Sequence, residues 1–342
     1  MSFDQRFFAN RRRATVDQFA TSPIRTISGI RFAAVPAWNY NQSKEAYTVK
    51  GVTAAAADGD PVGQACSYAP DATVYGRAVA TARPVVGSGY GQVTHVYNNS
   101  EICSVSNSTT QFDWIHKTGI FSIAFFIRCT SLATTQTVLC NNNATGAKIG
   151  IYVQINTSGK ILVGVTNGTL SNWATTSTDA LSASGNGVWV FIRCDGTTLS
   201  TRITPTGTDT TGSKSGTLAT GSASDTMFFG CTSSSNSSKL VAHLGPVLMF
   251  DKSLSTTEMS QIGSWVPTRS SSNPFPAITG GNPATTYPWG LWHWYTTAAC
   301  FTDTGLTTNV SANGDNVNAV KNQIDINRSW SQSRNWVCPG GA

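Results

Sequence analysis

The residues that acid–base chemistry needs are few and scattered along this chain. Its glutamates are Glu45, Glu101 and Glu258, and no two stand close in sequence. Glycoside hydrolysis requires two carboxylates flanking one bond, and sandwich folds that perform it gather such acids on a strand; no such cluster occurs here. His95, His116, His243 and His293 are isolated and lack the spacing of metal ligands. A Ser-His-Asp set assembles from distant positions, yet no nucleophile motif accompanies these histidines. Neither a Walker-type nor a dinucleotide-type glycine loop is present. The chain therefore reads as a protein that is not an enzyme. Asp195, Asp209 and Asp225 are the loop acids open to a calcium ion, although their spacing forms no compact ligand set. Asp195, followed by Gly196, reads in preference as a turn residue.

The aromatic residues offer more. Tyr90 and Trp173 are candidates for stacking on sugar rings, since an aromatic face suits an apolar ring surface. Trp173, next to Asn172 in an expected loop, also reads as a cover for the core edge. Trp114 and Trp189 sit within apolar alternation and are expected in the core. Trp289, Trp292 and Trp294 cluster in YPWGLWHWY; with Trp330 and Trp336 they form an expected C-terminal anchor for a neighbouring subunit. At the other end Phe7, Phe8, Arg11, Arg12 and Arg13 compose an assembly arm. The arginine run reads alternatively as a solvated terminus or a nucleic-acid contact.

Composition narrows the classes further. Hydrophobic residues make up 40% of the 342 and charged residues only 12%, against roughly 25% in an ordinary soluble domain. Small uncharged side chains do little to repel other copies. The net charge of +6 concentrates near the start, without the broad basic face of a sequence-specific nucleic-acid reader. The first twenty residues lack the apolar stretch of a secretory signal, and no window is long and apolar enough for a membrane span. Cys129 and Cys194 end strand-like runs and are expected as buried thiols.

These residues need elements to place them. An amphipathic helix or extended arm is expected over 3–20, ended by Pro23, and a strand over 26–34. From about residue 91 the chain reads as a strand series: 91–97, 101–106, 120–129, 136–140, 148–155, 160–166, 188–194, 198–203, 225–231 and 240–250. Hairpins are expected at Thr157–Lys160 and at Asp195-Gly196, where glycine allows the tight reversal. One helix is expected at 256–264, with Ser255 and Glu258 as a capping box. Many short strands without intervening helices favour a sandwich over any βαβ fold. Trp38 followed by Asp58-Gly59-Asp60-Pro61-Val62 is echoed by Trp294 and Asn313-Gly314-Asp315-Asn316-Val317, a possible truncated repeat.

The block from about 50 to 265 resembles the concanavalin A-like, laminin-G type jelly roll, in the form found in phage-encoded structural proteins. The resemblance is carried by Asp58–Val62 with Arg83-Pro84, FSIAFFIR at 121–128, WVFIRCDG at 189–196, and the run from Phe228 through GPVLMFDKSLSTTEMSQIGSW. It implies an all-β jelly-roll sandwich with an extended N-terminal arm (1–36), a sandwich (37–266), a Pro-rich linker (267–288) and an irregular Trp-rich C-terminal segment (289–342). The chain departs from the family at Gln64–Ser67 and Thr94–Asn98, which leaves the implied fold in place and weakens the carry-over of a ligand site. The function expected is a structural protein of a virion or other assembly (capsid decoration, fibre or tail component), with copies of itself and other assembly proteins as partners. The alternative is a carbohydrate-binding or adhesion module, extracellular or at a cell surface.

Overall fold

In a computed structural model of the chain, the residues described are 22–39, 47–49, 53–54, 65–66, 74–76, 85–89, 92–99, 101–105, 109–142, 148–169, 171–183, 185–232, 238–267, 300–301, 316–320 and 330–337. The chain divides into two units, 1–276 and 277–342.

In the first unit, helix α1 (Pro23–Thr26) leads to strand β1 (Ile30–Ala34) and helix α2 (Pro36–Asn39). Short strands follow: β2 (Tyr47–Val49), β3 (Thr53–Ala54), β4 (Ala65–Cys66), β5 (Val74–Gly76), β6 (Val85–Gly89), β7 (Gln92–Asn98) and β8 (Cys103–Val105). Helix α3 (Asp113–Thr118) precedes β9 (Ile120–Cys129), β10 (Gln136–Cys140), β11 (Ile149–Ile155), β12 (Lys160–Asn167) and β13 (Ser171–Ala180). Then come β14 (Val188–Asp195), β15 (Thr198–Ile203), β16 (Thr210–Ser213), β17 (Phe228–Phe229), β18 (Val241–Phe250) and helix α4 (Thr256–Gly263). In the second unit β19 (Cys300–Phe301), β20 (Asn316–Val320) and β21 (Trp330–Val337) pair antiparallel in that order.

Two large antiparallel sheets build the first unit. One runs β16-β15-β14-β9-β18-β7-β6, with β1 also on β18; the other runs β13-β12-β11-β10-β17-β8-β5-β4. Alternation along each strand sends every second side chain inward. Phe121, Ile123, Phe125 and Ile127 of β9 are fully buried, as are Ile151, Val153 and Ile155 of β11 and Ile161, Val163 and Val165 of β12. Phe32 of β1 stacks on Phe229 of the opposite sheet (5.6 Å, 18°) and meets Phe112 edge-on (5.8 Å). The unit is a predominantly β, two-sheet antiparallel sandwich.

The outer faces of the two sheets differ. Over the first, α4 packs through the buried Met259 and Ile262, and Trp265 stacks on Trp189 (6.3 Å, 27°). Arg193 donates to the Leu254 carbonyl (3.1 Å), and the Leu254 amide donates to Ser122 Oγ (2.8 Å). Ser255 and Glu258 form the expected capping box at the start of α4. On the second sheet, Ala174 and Thr176 are exposed, and Tyr152, Gln154, Lys160 and Leu162 half-exposed.

Several boundaries differ from expectation. Pro23 opens a short helix; with φ preset and no amide to satisfy, proline suits the first helical turn. The strand expected over 26–34 begins at Ile30. Residues expected in the arm, including Ile24, Ile27, Phe32 and Val35, are buried core, so the sandwich starts well before residue 37. The strand expected at 225–231 is only Phe228–Phe229. Strands β13 and β16 and helix α3 were absent from the expectation. Residues 3–20, including the arm residues Phe7, Phe8, Arg11, Arg12 and Arg13, lie outside the described residues, as does the Asp58–Val62 motif.

Candidate functional site

The site is built on the β11–β12 hairpin. Asn156 Oδ1 accepts from the Ser158 and Lys160 amides (3.0 and 2.9 Å), and Gly159 takes a positive φ of 76°. This turn sets Ile155 opposite Ile161 and therefore Tyr152 opposite Gly164. Residues directly opposite share a face. One row across the outer face reads Phe228, Cys140, Tyr152, Gly164, Ala174. At Gly164 a Cβ would overlap the Cε1, Cζ and Oη atoms of Tyr152. The phenol ring thus lies across the glycine, held against the sheet and half-exposed.

The next row along the same face reads Thr137, Gln154, Leu162, Thr176. Gln154 Nε2 donates to Thr137 Oγ1 at 3.2 Å, which fixes the amide and leaves its Oε1 to accept. The face therefore combines an aromatic ring set over a glycine, an oriented amide, the exposed Thr176 hydroxyl and the small Ala174. Such a surface can stack an apolar ring face and hydrogen-bond hydroxyls.

The residues singled out from sequence are placed elsewhere. Trp173 corrects the expectation of a ligand-stacking loop residue: it lies within β13 and is fully buried. Its Nε1 donates to the Thr197 carbonyl (3.3 Å), Lys214 Nζ sits 5.6 Å from its ring, and a Cβ at Gly119 would overlap that ring. Trp189 is buried as expected, while Trp114 is only partly buried against the core. Tyr90, Trp289, Trp292 and Trp294 lie outside the described residues. Trp330 and Trp336 belong to β21, opposite Val320 and Val317.

The three loop acids do not come together. Asp195 closes the β14–β15 turn, its Oδ1 accepting from the Thr197 hydroxyl (2.7 Å) and the Thr197 and Thr198 amides (2.8 Å each). Those bonds, led by the hydroxyl, hold its carboxyl below the usual range. Asp209 joins Arg193 and Arg202, the latter through two oxygens (2.9 and 2.8 Å). Partial burial opposes ionisation there, but the Arg202 hydrogen bonds and the two guanidinium charges prevail and keep it low. Asp225 caps its own neighbour, Thr226 (2.8 Å). Among the described residues no three of His, Cys, Asp and Glu gather as a metal site.

Histidine and cysteine are subdued by burial. His95 is driven down to about 3, and His116 and His243 are lowered, in each case first by desolvation. The Cys129 and Cys194 thiols are buried as expected and pushed up to about 12 and about 11, which keeps them un-ionised and unreactive. On the helix-covered sheet, an open groove of about 250 Å³ lies between Phe126, Trp189, Pro205 and Val266.

No protein-family model and no curated protein matches this chain. Solved structures do. Domain 4 of AbnA, a GH43 extracellular arabinanase from Geobacillus stearothermophilus in complex with arabinotriose, is 9% identical over 69% of this chain and 98% of that one, with a TM-score of 0.44. The Ruminococcus gnavus IT-sialidase CBM40 bound to α2,3-sialyllactose is 11% identical over 44% of this chain and 84% of that one (TM-score 0.36). The binding domain of botulinum neurotoxin DC, in complex with SialylT, is 13% identical over 55% of this chain (TM-score 0.33), and the match spans 41% of that chain. Among the described residues no helix is long and apolar enough to cross a membrane.

Proposed function

We propose that the sandwich is a carbohydrate-binding module that holds glycans on the outer face of its second sheet. The observation that carries this reading is the Tyr152 ring lying over Gly164 on the face that α4 does not cover. A ring held against the backbone of the neighbouring strand can stack on a sugar with little conformational entropy left to lose. Gln154 and Thr176 lie within one cross-strand row of it and can address the sugar hydroxyls. The face is exposed at Ala174 and Thr176 and half-exposed at Tyr152, Gln154 and Leu162, while Thr137, Cys140 and Phe228 beside them are buried, so the accessible strip runs over β11 to β13.

A glycan array probed with the chain and with Tyr152→Ala tests it. The proposal expects binding by the parent and a loss of about tenfold or more in the variant, the scale of a central aromatic contact. An array without binding at high protein density contradicts it.

A role as a structural or display component of a virion or other assembly is a second reading. Its support is the low proportion of charge, 12%, and the uncharged exposed edge of Ala174, Thr176 and Thr178. Light scattering of the full chain separates it from a free module: the assembly reading expects particles larger than one chain, and a monodisperse monomer opposes it.

A further inference from the structure

On and around the helix-covered sheet several cations are matched internally, Arg31 with Asp251, Arg193 and Arg202 with Asp209, and Lys252 with Glu258, while Lys214 lies over the Trp173 ring. Lys117 of α3 pairs with Asp113 (2.7 Å). Lys148 and Lys160 form no ion pair among the described residues, and both flank the Tyr152 platform.

Their placement follows from the register. Lys160 opens β12 and alternates onto the same face as Leu162 and Gly164, about 13 Å from Gly164 at strand spacing. Thr166, two positions beyond Gly164 on that face, donates its hydroxyl to the Lys148 carbonyl. That bond fastens the Lys148 backbone at the far end of the platform, four positions before Tyr152 and so about 13 Å along the strand, with the residue exposed. The outward positions between the lysines are Gly150, Tyr152, Gln154, Leu162, Gly164 and Thr166, and none is acidic. Two carboxylates lie nearby in the chain. Asp225 follows Ser224, which pairs with Ile149, but makes no ion pair with Lys148. Asp179 approaches the Gly207 turn of the opposite sheet and makes none with Lys160.

We propose that this platform selects glycans bearing an anionic group, a carboxylate or a sulfate, which Lys148 or Lys160 engages while a neighbouring sugar ring stacks on Tyr152. This deepens the carbohydrate-binding reading and rests on it. A cation without an internal partner, set within one or two sugar lengths of a stacking ring, is charge complementarity awaiting an anion. Lysine meets such a group as a point charge, so carboxylate and sulfate are both accepted.

The test compares lactose, sialyllactose and 3′-sulfolactose, immobilised at equal density, against the full chain, Lys148→Gln, Lys160→Gln and the double variant. The readout is the ratio of acidic to neutral apparent affinity. A ratio well above one is expected for the parent, falling roughly twofold to fivefold per lysine removed and shrinking as salt rises past the screening range. Preference for one acidic probe alone identifies the source as carboxylate or sulfate. Equal binding of neutral and acidic probes overturns this inference and leaves the carbohydrate-binding proposal standing. A ratio that survives the double variant overturns it as well. If none of these probes binds but the array finds neutral ligands dependent on Tyr152, the inference alone falls; if no glycan binds at all, both fall. Unchanged thermal unfolding of the double variant shows that any loss is of contact and not of fold.

Discussion

The indole of Trp173 occupies the space that a side chain on Gly119 would need. Gly119 ends α3 with φ of 64°, a left-handed conformation in which glycine carries no penalty. The close approach lets a strand residue from one sheet fill the core beside a helix terminus. Trp173 is fully buried and its ring has nowhere to swing. Gly119→Ala is therefore expected to lower unfolding free energy by about 2 kcal/mol or more, combining backbone strain with overpacking. Urea midpoints of the two proteins check this; equal midpoints contradict it.

Gly164→Ala makes the same kind of overlap with an opposite outcome. The Tyr152 ring is half-exposed and can lift off the sheet, while a strand glycine loses little and often gains stability on becoming alanine. Stability is expected to stay within about 1 kcal/mol of the parent, while glycan affinity falls because the ring no longer lies flat. Retained affinity alongside a displaced ring would remove the platform geometry from the explanation.

Acid titration should weaken the fold in two stages. His95 titrates at about 3 in the folded chain and near 6.5 when unfolded, so between those values the unfolded state binds the extra proton. Stability is full above about pH 6.5 and declines below it, by about 1.4 kcal/mol per pH unit for this residue. His116 and His243 shift in the same direction. Denaturant melts at pH 7 and pH 5 measure the loss; equal midpoints contradict it.

A second stage concerns Asp209, whose carboxyl is held below the usual range by Arg202 and Arg193. Its contribution is present above the unfolded carboxylate pKa of about 3.9 and is lost as pH falls through the folded value. Asp209→Asn should be less stable than the parent at pH 7, with the gap closing toward pH 2.5. Thermal melts across that range follow it; a gap independent of pH is the contrary result.

Ser255→Ala removes the hydroxyl that accepts from the Glu258 amide at the start of α4, with an expected cost of about 1 kcal/mol. Because α4 covers the first sheet, glycan binding on the second should be untouched.

Much of this arrangement was legible because turn chemistry sets register. Gly159 and Gly196 both take positive φ where the sequence placed hairpins. Once Ile155 faces Ile161, the Tyr152–Gly164 pair follows by counting outward, although neither residue stood out alone. Strand β13 was hidden because its inward positions include Thr175 and Ser177 beside the single apolar Trp173. Ser177 is buried by accepting from the Ile161 amide (2.9 Å) and donating to the Asp179 carbonyl (2.6 Å), a satisfaction that no hydropathy pattern reveals. Reading Asn172 as a loop residue left Trp173 with two readings, a stacking residue or a cover for the core edge, and burial favours the second. Helix α3, with six residues, is too short to show a helical period.

The most direct test of the platform is to titrate isotope-labelled protein with the tightest glycan from the array and follow backbone and Tyr152 ring signals by NMR. The largest shifts are expected at Tyr152, Gln154, Leu162, Gly164 and Thr176, with the Trp189–Trp265 side of the sandwich unmoved. Shifts centred on the groove around Trp189 and Val266, with a silent Tyr152, would contradict the assignment of this face.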